Sequence, residues 1–262
     1  MEERPMAGKV DPKFGAKFLK SVENFNEYGI HFLFNDWWES APADAIEKYV
    51  ALIENDPVQG QLAAERYYAP PLSLAALEVH APGTLGAHYL AFVRDHNLME
   101  SLAVGYRDLH EQFEATGVLK NLPDVLKHKV LRGYQTHDLH HVITGYPPTP
   151  LGELAVQAFQ LAQTQFPYAS MWIAVVTAHM TFIDPHLTVP AMNAITHGWS
   201  HGRAAKSLQF VKFEEQLDEP LELVRRRFDI RAATAADFVT PERHTPDLLV
   251  ASTPPGDLSR RD

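Results

Sequence analysis

Two histidines and two carboxylates occur at a spacing that could hold a metal ion. His137 and His141 are four residues apart, and residues at that separation in an α-helix lie on one face, about one turn apart. Asp138 is next to the first histidine and could turn toward the same ion, and Glu153 follows after eleven intervening residues. The pattern predicts a metal site with nitrogen and oxygen ligands.

The segment between His141 and Glu153 is predicted to be a turn between two helices. Gly145 and the following Pro147-Pro148 end a helix, and Thr149-Pro150 is typical of an N-cap and the first residue of the next helix. Two helices would therefore meet around the two imidazoles and the two carboxylates. A ligand set without thiolate suits Zn, Fe, Co or Mn and leaves room on the ion for water or substrate.

Two alternatives remain open at this point. His140 competes with His141 for the ligand role, because it is three residues from His137 and could face the same side. We prefer His141 because of its spacing. The alternative without a metal is a histidine-rich helix that ends at a turn and hydrogen-bonds the loop that follows.

The segment resembles the signature of the coenzyme Q (ubiquinone) biosynthesis protein 4 family, as a bacterial-type homologue. That signature is a His-Asp pair, two residues, a His, eleven residues and a Glu. It is matched here by His137, Asp138, His141 and Glu153. The likeness continues in Arg132, the Thr144-Gly145-x-Pro147 turn, Leu151-Gly152-Glu153, Phe159, Gln163-Thr164 and Pro167. It is strongest over residues 80–230. Leu217 stands where a Trp is expected, and about the first 70 residues and the chain after Ile230 have no counterpart.

The resemblance implies an enzyme of ubiquinone biosynthesis. Family members are assigned the removal of the C1 carboxyl from a polyprenylated 4-hydroxybenzoate ring, which makes them carbon–carbon lyases (decarboxylases). The reaction would use a divalent metal ion. Oxidative decarboxylation would need a redox-active metal such as iron, whereas zinc suits only decarboxylation without oxidation. The resemblance also implies peripheral association with the inner membrane, on the mitochondrial matrix face in a eukaryote, and with other enzymes of the pathway.

Two further expectations concern the substrate. Losing carbon dioxide from the ring requires a proton at the ring carbon, and His140 is our candidate catalytic acid because it is a spare histidine beside the ligands. Residues 168–183 are apolar on nearly every side, so we expect that helix to be enclosed, as core or as the wall of a channel for the polyprenyl tail.

Composition narrows the class of protein. The 262 residues are 45% hydrophobic and 21% charged, which suits one globular domain. Acidic residues outnumber basic ones by 33 to 23, and the net charge of −10 argues against nucleic acid as the main partner. The absence of Cys excludes disulfides and thiolate sites. The N-terminus lacks the apolar core of a signal peptide, so we expect an intracellular, cytoplasmic protein.

Helical signals follow one another with hardly any strand alternation, and we predict an all-α, single-domain helical bundle with the metal site between two helices. Residues 13–231 would form this domain, 1–12 a flexible N-terminus and 232–262 a Pro-rich, flexible tail. The Pro-broken residues 57–83 stay unassigned. An aromatic cluster is predicted to be core, with a homodimer contact or a membrane contact as alternatives; it comprises Phe32, Phe34, Trp37 and Trp38.

Two other functions stay open. One is a non-catalytic scaffold that binds prenyl lipid and organises a ubiquinone-biosynthesis complex around a structural metal. The other is a metal-dependent phosphohydrolase, which would need His110 or His128 and Asp184 as further ligands. The position of Glu153 and the Gly-x-Pro turn fit that superfamily badly, and we rank it last.

Overall fold

A computed structural model of the chain describes residues 10–98 and 122–238, apart from 26, 71 and 210, together with residues 111, 115 and 117. Within these residues the fold is all-α, as predicted, and contains no strand. The α-helices are α1 (Pro12–Glu23), α2 (Ile30–Ser40), α3 (Ala43–Glu54), α4 (Pro57–Glu65), α5 (Leu74–Glu78), α6 (Leu85–Asp95), α7 (Asp124–Thr144), α8 (Pro150–Thr164), α9 (Pro167–Phe182), α10 (Thr188–Ala204), α11 (Leu221–Arg227) and α12 (Ala235–Phe238).

Side-chain caps account for where several helices begin. The hydroxyl of Thr84 accepts a hydrogen bond from the main chain of α6, and Thr149 does the same for α8. The unassigned stretch 57–83 holds α4 and α5, whose N-caps are Asp56 and Ser73. Helix α4 has little amphipathic pattern and α5 has only 5 residues, so their caps are a clearer signal than their periodicity.

Helix α8 lies at the centre of the fold, between α9 and α10, and one end of it meets α7. Two glycines one turn apart let α10 approach α8 closely. A Cβ atom on Gly198 would lie 2.1 Å from the carbonyl oxygen of Ala155, and one on Gly202 would lie 2.5 Å from that of Phe159. The position of α8, which carries Glu153, therefore depends on these glycines.

The aromatic cluster in α2 belongs to the interior. Phe34 and Trp38 are buried and meet edge to face, and Phe34 also packs on Phe166, the N-cap residue of α9. Phe32 and Trp37 are half-buried. The core assignment is confirmed for the two buried rings.

The expectation that residues 168–183 are enclosed is wrong. Along α9 the buried residues are Pro167, Ala169, Val175 and Met180, and most of the others are half-exposed. Exposed apolar side chains follow at the end of α9 and along α10, among them Phe182, which is 79% exposed. We call this set the apolar face, and it comprises Phe182, Ile183, Val189, Met192 and Trp199. Hydrophobic composition predicts burial but does not say whether the chain itself supplies the covering element.

The segment that carries the apolar face has almost no charged residues. Between Glu153 and Arg203 the sequence has a single formal charge, on Asp184. None of the described helices is long and apolar enough to cross a membrane.

The described chain continues beyond residue 231. The main-chain N–H of Ala233 donates to the carbonyl of Thr144 at the end of α7, and Asp237 of α12 accepts hydrogen bonds from Arg231 and Thr234. Residues 232–238 therefore contact the helical domain. The flexible tail stays a prediction for residues 239–262, which lie outside the described residues, as do residues 1–9 of the predicted N-terminal segment.

Candidate metal centre

A helix–turn–helix positions the candidate ligands. His137 and His141 lie on the last turns of α7, and Gly145 ends that helix in the left-handed conformation, with φ of 83°. Glu153 lies in the first turn of α8, behind the Thr149 cap. The short turn brings the first turn of α8 back against the last turns of α7, so the two helices meet where the sequence predicted.

Three side chains converge on one point. The Nε2 atom of His137 is 3.1 Å from Oε2 of Glu153, Nε2 of His141 is 3.2 Å from Oε1 of Glu153, and the two Nε2 atoms are 3.2 Å apart. Around a tetrahedral ion with bonds of about 2.1 Å, ligand atoms lie about 3.4 Å from one another. The observed distances are close to that value, so the group fits a divalent ion.

The ring of His141 is oriented by a main-chain carbonyl. Its Nδ1–H donates to the carbonyl oxygen of Tyr146 over 3.0 Å, and this bond leaves the Nε2 lone pair directed at Glu153 and His137. A ligating histidine in proteins is usually held in this way by a partner at its other ring nitrogen. The side chain of His141 is only 1% exposed, and the ring of Phe92 stacks on it at 5.7 Å.

The pKa values of Glu153 and His137 are shifted in opposite directions by their mutual interaction. Burial alone would raise the pKa of Glu153, but the imidazoles of His141 and His137 lower it below its usual range. Burial alone would lower the pKa of His137, but the charge of Glu153 and the hydrogen bond to it raise that pKa above 6.5. Three mutually facing acceptors repel one another unless a proton or a metal ion lies between them.

Asp138 is outside this group of three. It follows His137 on the helix, and adjacent helical residues point about 100° apart. Its carboxylate still interacts electrostatically with His137, His141 and Glu153, and burial gives it a raised pKa. Its role as a ligand therefore stays a prediction.

His140 points away from the group, toward α8. Its Nδ1 accepts a hydrogen bond of 2.8 Å from the amide of Gln160, and its ring edge faces Phe213. The residue is 3% exposed, and burial, followed by the charges of nearby residues, lowers its pKa to about 3. His140 is thus a neutral imidazole with its hydrogen on Nε2, and its catalytic role stays a prediction.

The extra ligands of a phosphohydrolase are not part of the group. His128 bonds to the carbonyl of Tyr67 and lies nine residues before His137 on α7, roughly 13 Å away along the helix axis. Asp184 caps the short 3-10 helix Pro185–Leu187. Among the described residues, the group that could hold a metal contains His137, His141 and Glu153; His110 lies outside the described residues.

The structure adds residues that the sequence reasoning missed. The hydroxyl of Tyr146 lies 2.7 Å from Nδ1 of His197 and 3.0 Å from Nδ1 of His201, both on α10. The four-residue spacing of those histidines was a visible signal of a shared helix face. Burial raises the pKa values of Tyr89 and Tyr168, and the charges of Asp138 and Glu153, respectively, add to these shifts.

Comparisons with known proteins agree on one family. Residues 124–234 match the sequence profile of the coenzyme Q (ubiquinone) biosynthesis protein Coq4. The ubiquinone biosynthesis protein COQ4 homolog, mitochondrial, of Nematostella vectensis is 24% identical over 157 residues, which cover 59% of this chain and 69% of that protein. Its counterpart in Rattus norvegicus is 23% identical over 68% of this chain and 63% of its own length. This chain thus spans a little under two thirds of the rat protein.

A solved structure supports the fold alone. It is the crystal structure of a protein provisionally assigned to ubiquinone biosynthesis from Nostoc punctiforme, and it superimposes with a TM-score of 0.63 at 22% identity. The match covers 82% of this chain and 96% of that one. The sequence match from Asp124 to Thr234 contains every residue of the candidate metal centre. Residues 124–234 of this chain, which include the candidate metal centre, are therefore similar to the coenzyme Q (ubiquinone) biosynthesis protein Coq4 family.

Proposed function

We propose that this chain acts in ubiquinone biosynthesis as a metal-dependent decarboxylase and that His137, His141 and Glu153 hold a divalent ion, Zn, Fe, Co or Mn. The observation that carries the proposal is the convergence of three donor atoms within 4.8 Å on two adjacent helices. The match of residues 124–234 to the Coq4 family and the names of the mitochondrial relatives support the pathway.

The proposed reaction is removal of the C1 carboxyl from a polyprenylated 4-hydroxybenzoate ring. In the simple route the bond between ring and carboxyl carbon breaks, its electron pair stays on the ring, a proton replaces the carboxyl and carbon dioxide leaves. In the oxidative route a hydroxyl replaces the carboxyl, which needs dioxygen and a two-electron reductant as further reactants, and the second oxygen atom leaves as water. A bound divalent ion would supply an electron-pair acceptor for a ring or carboxyl oxygen as negative charge develops there.

The surrounding residues suggest how the ring would be held and protonated. Glu153 stays ionised because its pKa is lowered. An ionised carboxylate suits a metal ligand and cannot act as the proton donor. His140 is poorly suited to proton delivery, since loss of Nε2–H from a neutral ring would leave an imidazolate. We assign the proton instead to Asp138, whose carboxyl pKa burial raises. Phe92 and Tyr89 would provide apolar walls for an aromatic ring.

The apolar face supports contact with lipid. A polyprenyl substrate resides in a membrane, and a surface protein that reaches it needs exposed apolar side chains with few charges. Helices α9 and α10 present such side chains, and the formal charges from α9 to the end of α10 are Asp184 between the helices and Arg203 in the last turn of α10. We propose peripheral membrane association through this face.

Vesicle binding tests that association. Met192→Glu introduces a charge within the apolar face, whereas Leu52→Glu introduces one at a similarly exposed leucine of α3. Met192→Glu should reduce co-sedimentation with phosphatidylcholine vesicles, and Leu52→Glu should not. Equal binding by both variants would remove the apolar face from the proposal.

The decarboxylase itself is tested by metal content and product together. Wild type, His141→Ala, Glu153→Ala and the control His88→Ala, an exposed histidine of α6, are purified with and without air, and bound metal is measured by elemental analysis. Carbon dioxide release is then followed from a polyprenylated 4-hydroxybenzoate. We expect His88→Ala to match wild type and the two ligand variants to lose both metal and release, while helical circular dichroism persists.

The same apolar face favours the second candidate function, a scaffold that binds prenyl lipid for other enzymes of the pathway. That function predicts metal and lipid in the purified protein without carbon dioxide release under either atmosphere. Release that is unchanged in His141→Ala would refute the metal site. Release that requires dioxygen would select the oxidative route.

A further inference from the structure

The turn after α7 carries a hydrogen bond to a candidate metal ligand. The Nδ1–H of His141 donates to the carbonyl oxygen of Tyr146. The ring can rotate only if this bond is stretched, so the place of that carbonyl decides where the Nε2 lone pair points. A shift of the Tyr146 main chain would therefore move a donor atom of the centre.

The side chain of Tyr146 is anchored on the opposite side. The residue is 1% exposed, and its hydroxyl lies within hydrogen-bond distance of Nδ1 of both His197 and His201. A phenol has one hydrogen, so it donates to one imidazole and accepts from the other. One residue thus connects two histidines of α10 to a candidate ligand on α7.

The end of α7 is also fixed by residues after α10. The guanidinium of Arg225 donates to the carbonyls of Val142 and Ile143, at 2.9 and 3.0 Å, and Ala233 donates to the carbonyl of Thr144 at 2.7 Å. The last carbonyls of a helix have no partner within it, so these bonds hold the helix end where the turn begins.

The histidine pair itself has a carboxylate neighbour. Oδ1 of Asp237 lies 3.9 Å from Nε2 of His197, and Asp237 is held by hydrogen bonds from Arg231 and Thr234. A connected series of contacts therefore runs from α12 through His197 and Tyr146 to His141. Within this series of described residues, the contact with His141 is made by the carbonyl oxygen of Tyr146.

We propose that Tyr146 is a positioning residue of the metal centre: held by His197 and His201, it keeps in place the carbonyl that orients His141. This inference rests on the proposed metal site. Tyr146 is no ligand, and a phenylalanine would fill the same buried volume. The hydroxyl serves to hold the turn in register with α10.

Cobalt binding tests this role without any turnover. Metal-free protein is titrated with Co²⁺ against a competing chelator, and the visible absorption of the ion is recorded. Tyr146→Phe should weaken Co²⁺ binding by about 10-fold, the lower end of the effect of outer partners on metal affinity. The matched control is Tyr28→Phe, which also loses a tyrosine hydroxyl hydrogen bond, to Asp36, but lies in the turn before α2. It should bind Co²⁺ like wild type.

A mutant cycle separates positioning from mere stability. Replacing both His197 and His201 by Ala should weaken Co²⁺ binding to a similar degree, and adding Tyr146→Phe should weaken it little further, because both changes cut the same connection. A purely structural role would lower the melting temperature of the metal-free variants and leave Co²⁺ affinity at the wild-type value. That result, or additive losses in the cycle, would overturn the proposal.

The His141→Ala variant distinguishes an error in the metal site from an error in the positioning role of Tyr146. If His141→Ala and wild type bind Co²⁺ equally, the metal site is wrong and the positioning role falls with it. If His141→Ala loses Co²⁺ while Tyr146→Phe retains full affinity, the metal site stands and the positioning role alone is refuted.

Discussion

Replacing Gly198 by Ala should destabilise the fold, because a Cβ atom there would lie 2.1 Å from the carbonyl oxygen of Ala155. Real Cβ contacts do not fall below 3.0 Å, so α10 and α8 would have to separate by about 0.9 Å. The contacting atom belongs to the backbone and cannot swing aside. Overpacking of this kind costs about 1–3 kcal/mol, and the better helix propensity of Ala returns about 1 kcal/mol. With the cost at its upper end, we expect a net loss of about 2 kcal/mol.

Gly133→Ala is the matched control. Gly133 lies in the interior of α7 on its exposed side, and a Cβ atom there meets no atom within 4 Å. This variant should gain up to about 1 kcal/mol from helix propensity alone. Urea unfolding of the metal-free proteins, followed by far-ultraviolet circular dichroism, measures both changes. A Gly198→Ala variant as stable as Gly133→Ala would refute the close approach of the two helices.

Three further perturbations have defined outcomes. Arg132→Met leaves the buried carboxylate of Glu214 without its bidentate partner and should cost about 3–5 kcal/mol in urea unfolding, more than the double variant Arg132→Met/Glu214→Leu. Gly145→Ala places a side chain at φ of 83° and should cost at least about 1–2 kcal/mol, seen as a lower melting temperature. In chelator, the stability difference between wild type and Glu153→Gln should be largest between the ordinary pKa values of 4.5 and 6.5. It should shrink at lower pH as Glu153 is protonated and at higher pH as His137 loses its proton, and a flat difference would contradict the pair.

The spacing of the ligands was readable from the sequence because helix geometry is local. The four-residue interval set His137 and His141 on one face, and the Gly-Pro turn with the Thr149 cap brought Glu153 back to them. The same geometry explains why Asp138 lies outside the group, since neighbouring helical residues point in different directions. The residue types in the sequence did not by themselves show that Asp138 lies outside the group.

What the sequence could not show were relationships between distant segments. His140 turned toward Gln160 because α8 offered a buried amide, and no spacing rule along α7 predicts that partner. The contact of Tyr146 with His197 joins residues 51 positions apart. Helix α9 was expected to be covered, yet hydrophobicity is a property of one segment, whereas burial depends on whether another segment arrives to pack on it.

The short turn between α7 and α8 has a consequence for how the protein matures. The candidate ligands are at most 16 positions apart, so the loop that joins them is small and the chain entropy lost in closing it is low. Contacts of such low sequence separation form early in folding. The helical hairpin can therefore assemble before α10 docks. With the proposed metal site, the ion would be acquired while the chain folds, and a shortage of the ion would lower the yield of folded protein.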